Sequence, residues 1–286
     1  MGLITITSDW GTSDHYVAAV KTKIYAYFPE ARIVDVTHLV HAFDIGKAAY
    51  FIRNVYPYSP DGTVHIIGVN AISDKNRAHL IVCYQNQFFV GADNGIFSLL
   101  FPKGETPSGV YEITEMQDHD SFTFPSRDLF AKIAARLASG IPPEKLGKPA
   151  QILNHITPSF PIIRQEKISD TEISSAEIVG GVTYIDHYGN VNTNIHQSQF
   201  DELKSQFSNV EIFYGGKKHE GVDSIRKISA AYSDVRESYI LALFASDGYL
   251  QIAMNLSNAA GLLAIKKDTQ IIVRFQNPLP HEALIP

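Results

Sequence analysis

Leu3-Ile4-Thr5-Ile6-Thr7, running straight into Ser8-Asp9-Trp10-Gly11-Thr12, decides how this chain is read. A short run of β-formers that stops in turn residues is a strand and its exit loop. After it, Val17, Val20, Ile24 and Tyr27 recur at helical spacing, and Asp14 is placed to cap that helix. The unit then repeats. Arg32-Ile33-Val34-Asp35-Val36 predicts a second strand. Asp44 opens a second helix with Ala48, Phe51 and Val55 on one stripe, stopped at Pro57. Thr63 to Val69 is a third strand, and His79–Tyr84 with Gln87–Gly91 reads as a hairpin. Ser126 caps a further helix carrying Leu129, Ile133 and Leu137, with Gly140 as its stop signal. Continuous apolar strands alternating with amphipathic helices predict an α/β N-terminal domain, residues 1–155, around a central and largely parallel sheet.

Outward from there the pattern changes. Residues 156–176 are rich in Pro, Ser, Thr and charge without long periodicity, and read as a linker. Residues 177–286 carry short β-rich runs at Gly181–Ile185, Val191–Ile195, Val210–Tyr214, Tyr239–Phe244, Tyr249–Met254 and Ile271–Phe275. Turns such as His187-Tyr188-Gly189-Asn190 and Ser246-Asp247-Gly248 separate them, and one helix around Gln199–Phe207 interrupts them. Such spacing predicts an antiparallel barrel or sandwich.

Composition narrows the function. Of 286 residues 45% are hydrophobic and 19% charged, enough for two packed cores and too little charge for a disordered chain. A net charge of −6 argues against a general nucleic-acid surface, which needs clustered Lys and Arg. With Cys83 as the single cysteine, inside an apolar strand, no internal disulfide and no Cys-rich zinc site is possible. The eleven histidines show no metal-ligand spacing, so no metal or resident cofactor is expected. No apolar run approaches a membrane span, and Met1-Gly2-Leu3-Ile4 carries no signal-peptide pattern, so a cytoplasmic location is expected. Phosphate-binding glycine loops, Gly-x-Ser-x-Gly and His-Glu-x-x-His are absent.

The polar clusters that remain sit where strands run out, which is where ligands bind open α/β sheets. They are Asp9 with Asp14; Asn70, Ser73, Asp74 and Arg77; Asp93-Asn94-Gly95; Thr123-Phe124-Pro125-Ser126-Arg127-Asp128; and Asp186 to Asn190. A carboxylate in such a loop can accept both hydrogen bonds of a ribose diol, and a second can hold an ammonium group. Each cluster alone is equally readable as a turn or a cap.

In order and together they resemble the S-adenosyl-L-methionine (SAM) hydroxide adenosyltransferase family, the adenosine-forming SAM hydrolases related to fluorinase and chlorinase. The resemblance runs through Ile6-Thr7-Ser8-Asp9-Trp10-Gly11, Asp14-His15-Tyr16-Val17, Ile33-Val34-Asp35-Val36-Thr37-His38, Phe43-Asp44 and Tyr58-Ser59-Pro60-Asp61-Gly62-Thr63. It continues at Gly91-Ala92-Asp93-Asn94-Gly95, Thr123-Phe124, Arg127-Asp128, Tyr184-Ile185-Asp186, Gly189-Asn190-Val191, Thr193-Asn194-Ile195 and Gly248-Tyr249-Leu250. It implies a C-terminal antiparallel β-barrel and a homotrimer, with SAM as substrate or ligand between the N-terminal domain of one subunit and the C-terminal domain of the next. It also implies residue roles: Asp9 on the ribose hydroxyls, Asp14 and Asp186 near the methionine amino group, and Phe43 beside the nucleoside. Phe124 and Ser73 fall in the substrate-contacting loops, Tyr188 and Asn190 on the adenine side, and Ser246 and Asn255 on the segments closing over the ligand.

The sequence departs from the family at the water-activating set of Asp, Arg and His. The Asp belongs to a Val-Asp-Pro-Gly-Val-Gly loop that here reads Val69-Asn70-Ala71-Ile72-Ser73-Asp74, so Asn70 takes its place. Arg77 is kept, and the His of Thr-Phe-His-Gly-Arg-Asp is Pro125. The catalytic candidates are therefore Arg77, Asn70 and Ser126, for hydrolysis of SAM to adenosine and L-methionine. A catalytically silent SAM or adenosine module is the alternative. Halide transfer is a third reading, because Ser73 and Ser126 fall where fluorinase places hydroxyls around its halide, although the long halogenase insertion is not evident between Asn76 and Phe89.

Overall fold

The computed structural model describes residues 2–72, 77–102, 104–115, 123–167, 173–214, 224–267 and 269–277. The chain divides into two compact units, Met1–Pro158 and Ser159–Pro286.

The first unit contains β1 (Leu3–Ser8), α1 (Tyr16–Tyr27), β2 (Arg32–Thr37), α2 (Ile45–Arg53), β3 (Val64–Gly68), β4 (His79–Tyr84), β5 (Gln87–Ala92), α3 (Phe97–Leu100), β6 (Gly109–Ile113), α4 (Ala131–Ala138) and β7 (Gly147–Pro149). One seven-stranded sheet runs β2-β1-β3-β5-β4-β6-β7. The first four strands in that order are parallel, and β4, β6 and β7 extend them as an antiparallel wing. Strand side chains alternate between faces, and both faces are covered. Ile4, Ile6, Val64, Ile66 and Ile81 pack under α1 and α4. Ile67, Leu80, Val82 and Phe89 pack under α2 and α3. That double burial is why β1 and β3 have no exposed polar face, with Thr5, Thr7 and His65 buried like their apolar neighbours.

Two helix entries differ from the sequence expectation. Asp44 caps α2 by accepting from Lys47 N–H, but Asp14 does not cap α1. The chain is already helical at His15, which makes no side-chain cap bond, and Asp14 is exposed one residue earlier. Ser126 does not cap the later helix either. Pro125, with its φ preset at −56°, starts a π-turn over Ser126–Phe130 that leads into α4. On α2 the buried stripe is Ala48, Ala49 and Ile52, shifted from the stripe read in sequence.

The second unit contains β8 (Ile162–Lys167), β9 (Ile173–Ile185), β10 (Val191–His196), α5 (Gln197–Lys204), β11 (Asn209–Tyr214), β12 (Ile240–Phe244), β13 (Tyr249–Met254), α6 (Ala259–Leu262) and β14 (Gln270–Gln276). An antiparallel sheet runs β11-β14-β9-β10-β13-β12, with β8 added against β9. It curls around a core that includes Ile178, Val191, Phe200, Ile212, Leu250 and Phe275. Among the described residues the sheet is open. Single bridges from Ile225 to Ile212 and from Ile228 to Ala242 touch its two edge strands without a continuous ladder, so a closed barrel is not formed there. The stretch 156–176 is not all linker, because it carries β8 and the first residues of β9. Arg164-Gln165-Glu166-Lys167 is exposed throughout and pairs along one side, so it has no apolar period to betray it.

Burial perturbs several titratable groups of the first sheet, and His65 is the one shifted into the acid range. His65 on β3 is buried, with Nδ1 2.7 Å from Thr5 Oγ1 and Nε2 2.6 Å from Gln87 Oε1, and its ring stacks on Phe89. Burial lowers its pKa to about 4, with the Gln87 bond opposing in part. Between pH 6.5 and about 4 the unfolded chain therefore binds a proton that the folded chain refuses. Stability is full above pH 6.5 and falls as pH drops, by roughly 3 kcal/mol across that window. Urea melts at pH 7 and pH 5 should show this slope, and His65→Asn should flatten it.

Candidate active site

The strand order places a crevice before any residue is considered. From β1 the chain passes through α1 on one face to β2, then through α2 on the other face to β3, on the opposite side of β1. The chain leaving β1 thus leads to β2 on one side, while the chain leaving β3 leads to β4 on the other, and ligands bind at such a switch point. A cavity of about 530 Å³ lies there. Asp9 and Trp10 reach it from β1, Gly68 and Asn70–Ile72 from β3, Ala42 and Phe43 from the loop before α2, His15 and Tyr16 from the start of α1, and Thr123–Arg127 from the π-turn.

Its residues are held by specific bonds. Asp9 Oδ2 accepts from Phe43 N–H at 2.9 Å, fixing Phe43 at φ 67° with its ring 71% exposed. Asn70 also sits at positive φ, 47°, a region Asn tolerates. The Asn94 side-chain amide donates to the carbonyls of Val69 and Asn70, which sets the loop. Arg77 Nη1 lies 3.5 Å from Asn70 Oδ1, a long contact. Arg127 makes a double bond pattern to buried Asp128, at 2.6 and 2.8 Å, which raises the guanidinium pKa. Ser126 is 1% exposed and its Oγ has no hydrogen-bond partner.

Below the cavity, Ser8 Oγ is 2.7 Å from His38 Nδ1, and His38 Nε2 is 3.1 Å from Asp35 Oδ1. Burial pushes the Asp35 carboxyl up, but the hydrogen bond from Lys21 and the imidazole of His38 beside it outweigh this, and its pKa is lowered. With Ser8 fully buried, its bond to His38 braces the end of β1 and offers no accessible nucleophile, and His38 Nε2 lies near Asp35 without making a hydrogen bond.

Of the residues singled out in sequence, the cavity gathers Asp9, Phe43, Asn70, Phe124 and Ser126, with Arg77 joined through Asn70. Asp14 does not line it. Ser73, like Asp74, lies outside the described residues. In the second unit, Asp186 closes its turn: Oδ1 accepts from the N–H of Tyr188 and of Asn190, and Oδ2 from the Asn190 side chain. Tyr188 is left 76% exposed. Ser246 is exposed in the turn between β12 and β13, and the Asn255 side chain donates to Val235 O. Trp10, His15 and Tyr16 line the cavity without having been named as site residues. Their adjacency to Asp9 and Asp14 was the available signal.

Among the described residues no cluster of metal-binding side chains occurs, and no helix is long and apolar enough to cross a membrane.

Comparison with known proteins gives a consistent family. Residues 4–147 match the SAM hydroxide adenosyltransferase N-terminal domain, and residues 180–272 match the SAM hydroxide adenosyltransferase C-terminal domain. The (R)-S-adenosyl-L-methionine hydrolase of Salinispora tropica is 29% identical over 268 residues, covering 92% of this chain and 94% of its own. A fluorinase of Nocardia brasiliensis is 26% identical over 304 residues, covering 95% and 96%. The crystal structure of an uncharacterized conserved protein from Thermotoga maritima superposes with a TM-score of 0.78 at 28% identity, covering 96% of this chain and 99% of that one.

Proposed function

Since the chain belongs to the SAM hydroxide adenosyltransferase family, we propose that it binds SAM in the switch-point cavity and hydrolyses it to adenosine and L-methionine. The observation that carries this reading is Asp9: a carboxylate at the end of β1, lining the cavity, with one oxygen already anchored to Phe43 N–H. Such a group is oriented in advance to accept from a ribose diol, with the Phe43 ring beside the nucleoside.

The reaction is a displacement. Water oxygen attacks the 5′ carbon, the carbon–sulfur bond breaks, and its electron pair neutralises the sulfonium to give the thioether of methionine. The proton lost by the attacking water passes to bulk water. In this site Asn70 orients the water through its side-chain amide, Arg77 adds positive charge beside it, and the unpartnered Ser126 hydroxyl supplies a further hydrogen bond. Asn70 accepts no proton as a base, and Pro125 contributes no side-chain donor or acceptor. What remains is positioning, desolvation and a good leaving group, so turnover is slow.

The reading extends to a homotrimer in which Asp186, Tyr188, Asn190, Ser246 and Asn255 of a neighbouring subunit complete the site, and Asp14 approaches the methionine end. Light scattering should then give a trimer's mass. Loss of both base and partner at Asn70 and Pro125 favours a silent SAM-binding module as the second reading. Incubation with SAM in ¹⁸O-labelled water separates them. Equimolar adenosine and methionine, with label at the 5′ oxygen, supports hydrolysis. Binding without product supports the silent module, and SAM loss that requires chloride or fluoride points to halide transfer through Ser73 and Ser126.

A further inference from the structure

A sulfonium is an awkward charge to recognise. It carries no N–H or O–H to donate and no strongly accepting lone pair, so the hydrogen-bonding groups that read a ribose or an amine do not sense it. A negative oxygen or the negative face of an aromatic ring does, and the ring does so without asking for a hydrogen bond. The cavity is lined by Trp10, Tyr16, Phe43 and Phe124. Three of these form a corner: Trp10 meets Phe124 edge to face at 5.4 Å and 86°, and Tyr16 meets it at 5.3 Å and 80°. Phe124 already holds a cation, since the Arg127 guanidinium lies 5.4 Å from its centroid. That guanidinium is neutralised by its bidentate pairing with Asp128, so it does not repel a second cation strongly.

Trp10 is held on two sides. His38 stacks against it at 5.9 Å and 16°. Gly68 leaves it its space, because a Cβ there would fall 2.3 Å from indole Cζ2. An indole held this way loses little entropy on binding, and among side-chain rings it presents the strongest negative face.

We propose that Trp10 is a specificity-determining residue that reads the positive charge of the ligand's sulfur. It makes the cavity prefer SAM over its neutral thioether, S-adenosylhomocysteine. This rests on the reading of the cavity as a SAM site and says which part of SAM is recognised there.

The test is calorimetric titration of the wild-type chain, Trp10→Phe and Trp10→Leu with three ligands: SAM, S-adenosylhomocysteine, and sinefungin, whose ammonium replaces the sulfonium and which is not cleaved. Trp10→Leu should weaken SAM and sinefungin by about 5–20-fold and the thioether by less than about two-fold, and Trp10→Phe should restore most of the difference. Tyr16→Leu, at a 39% exposed position, should narrow the same ratio by a smaller factor and serves if Trp10→Leu does not fold. Equal losses for all three ligands would mean that Trp10 only packs, and would overturn the proposal while leaving the SAM site intact. A wild-type chain that binds none of the three would overturn the SAM reading itself, and the charge preference with it.

Discussion

Asn70→Asp combined with Pro125→His is expected to raise adenosine formation from SAM by about 10²–10⁴-fold, the usual range for general-base assistance. The backbone accepts the first change, because Asp tolerates the left-handed region that Asn70 occupies. The carboxylate would meet Arg77, whose contact to Asn70 Oδ1 is long at 3.5 Å, through a shorter charge-assisted bond. Pro125 lines the cavity and begins the π-turn, so an imidazole there reaches the same space but loosens the entry into α4. Circular dichroism and a melting curve therefore accompany the assay. Each single change should do much less than the pair, since groups that act as a unit contribute non-additively. A native chain whose turnover the double variant does not improve would show that Asn70 and Pro125 are not lost catalytic positions.

Asp9→Ala should weaken both adenosine and SAM by about 10²-fold or more, from two charge-assisted hydrogen bonds each worth about 1.5–3 kcal/mol. The same change releases Phe43, whose positive φ is held by the Asp9 bond. Asp9→Asn keeps an acceptor for Phe43 N–H and removes the charge, so it should fall between wild type and Ala. If Asn and Ala weaken binding equally, the carboxylate charge carries the effect. If neither weakens it, Asp9 does not touch the ligand. Calorimetry with adenosine reads all three outcomes and is independent of turnover.

The fold was legible where burial imposes a period. β1, β3 and the β4–β5 hairpin are apolar because both sheet faces are covered, and α1 shows Val20 and Ile24 on its inner face. The rest of the antiparallel wing, β6 and β7, was not legible, because β6 is half-buried along its length and β7 has three residues. β8 was hidden by its charge, and the caps expected at Asp14 and Ser126 were displaced by backbone geometry at His15 and Pro125. In the site, Asp9 and Asn70 stood out because they end strands. Trp10 and Tyr16 did not, because an aromatic beside a turn reads as packing until the cavity shows what it faces. Ser126 was noticed as a cap and a halide position, but its lack of any partner is visible only in three dimensions.

SAM is expected to bind in the cavity between the ends of β1 and β3. Trp10 is the chain's single tryptophan and lines that cavity, so its fluorescence reports on this place alone. Titration of the intact protein with SAM should give a saturable change in Trp10 emission, with adenosine competing for the same change and Asp9→Ala shifting it to far higher concentration. Emission that stays flat through millimolar SAM and adenosine, with no heat in calorimetry on the same samples, would contradict the account.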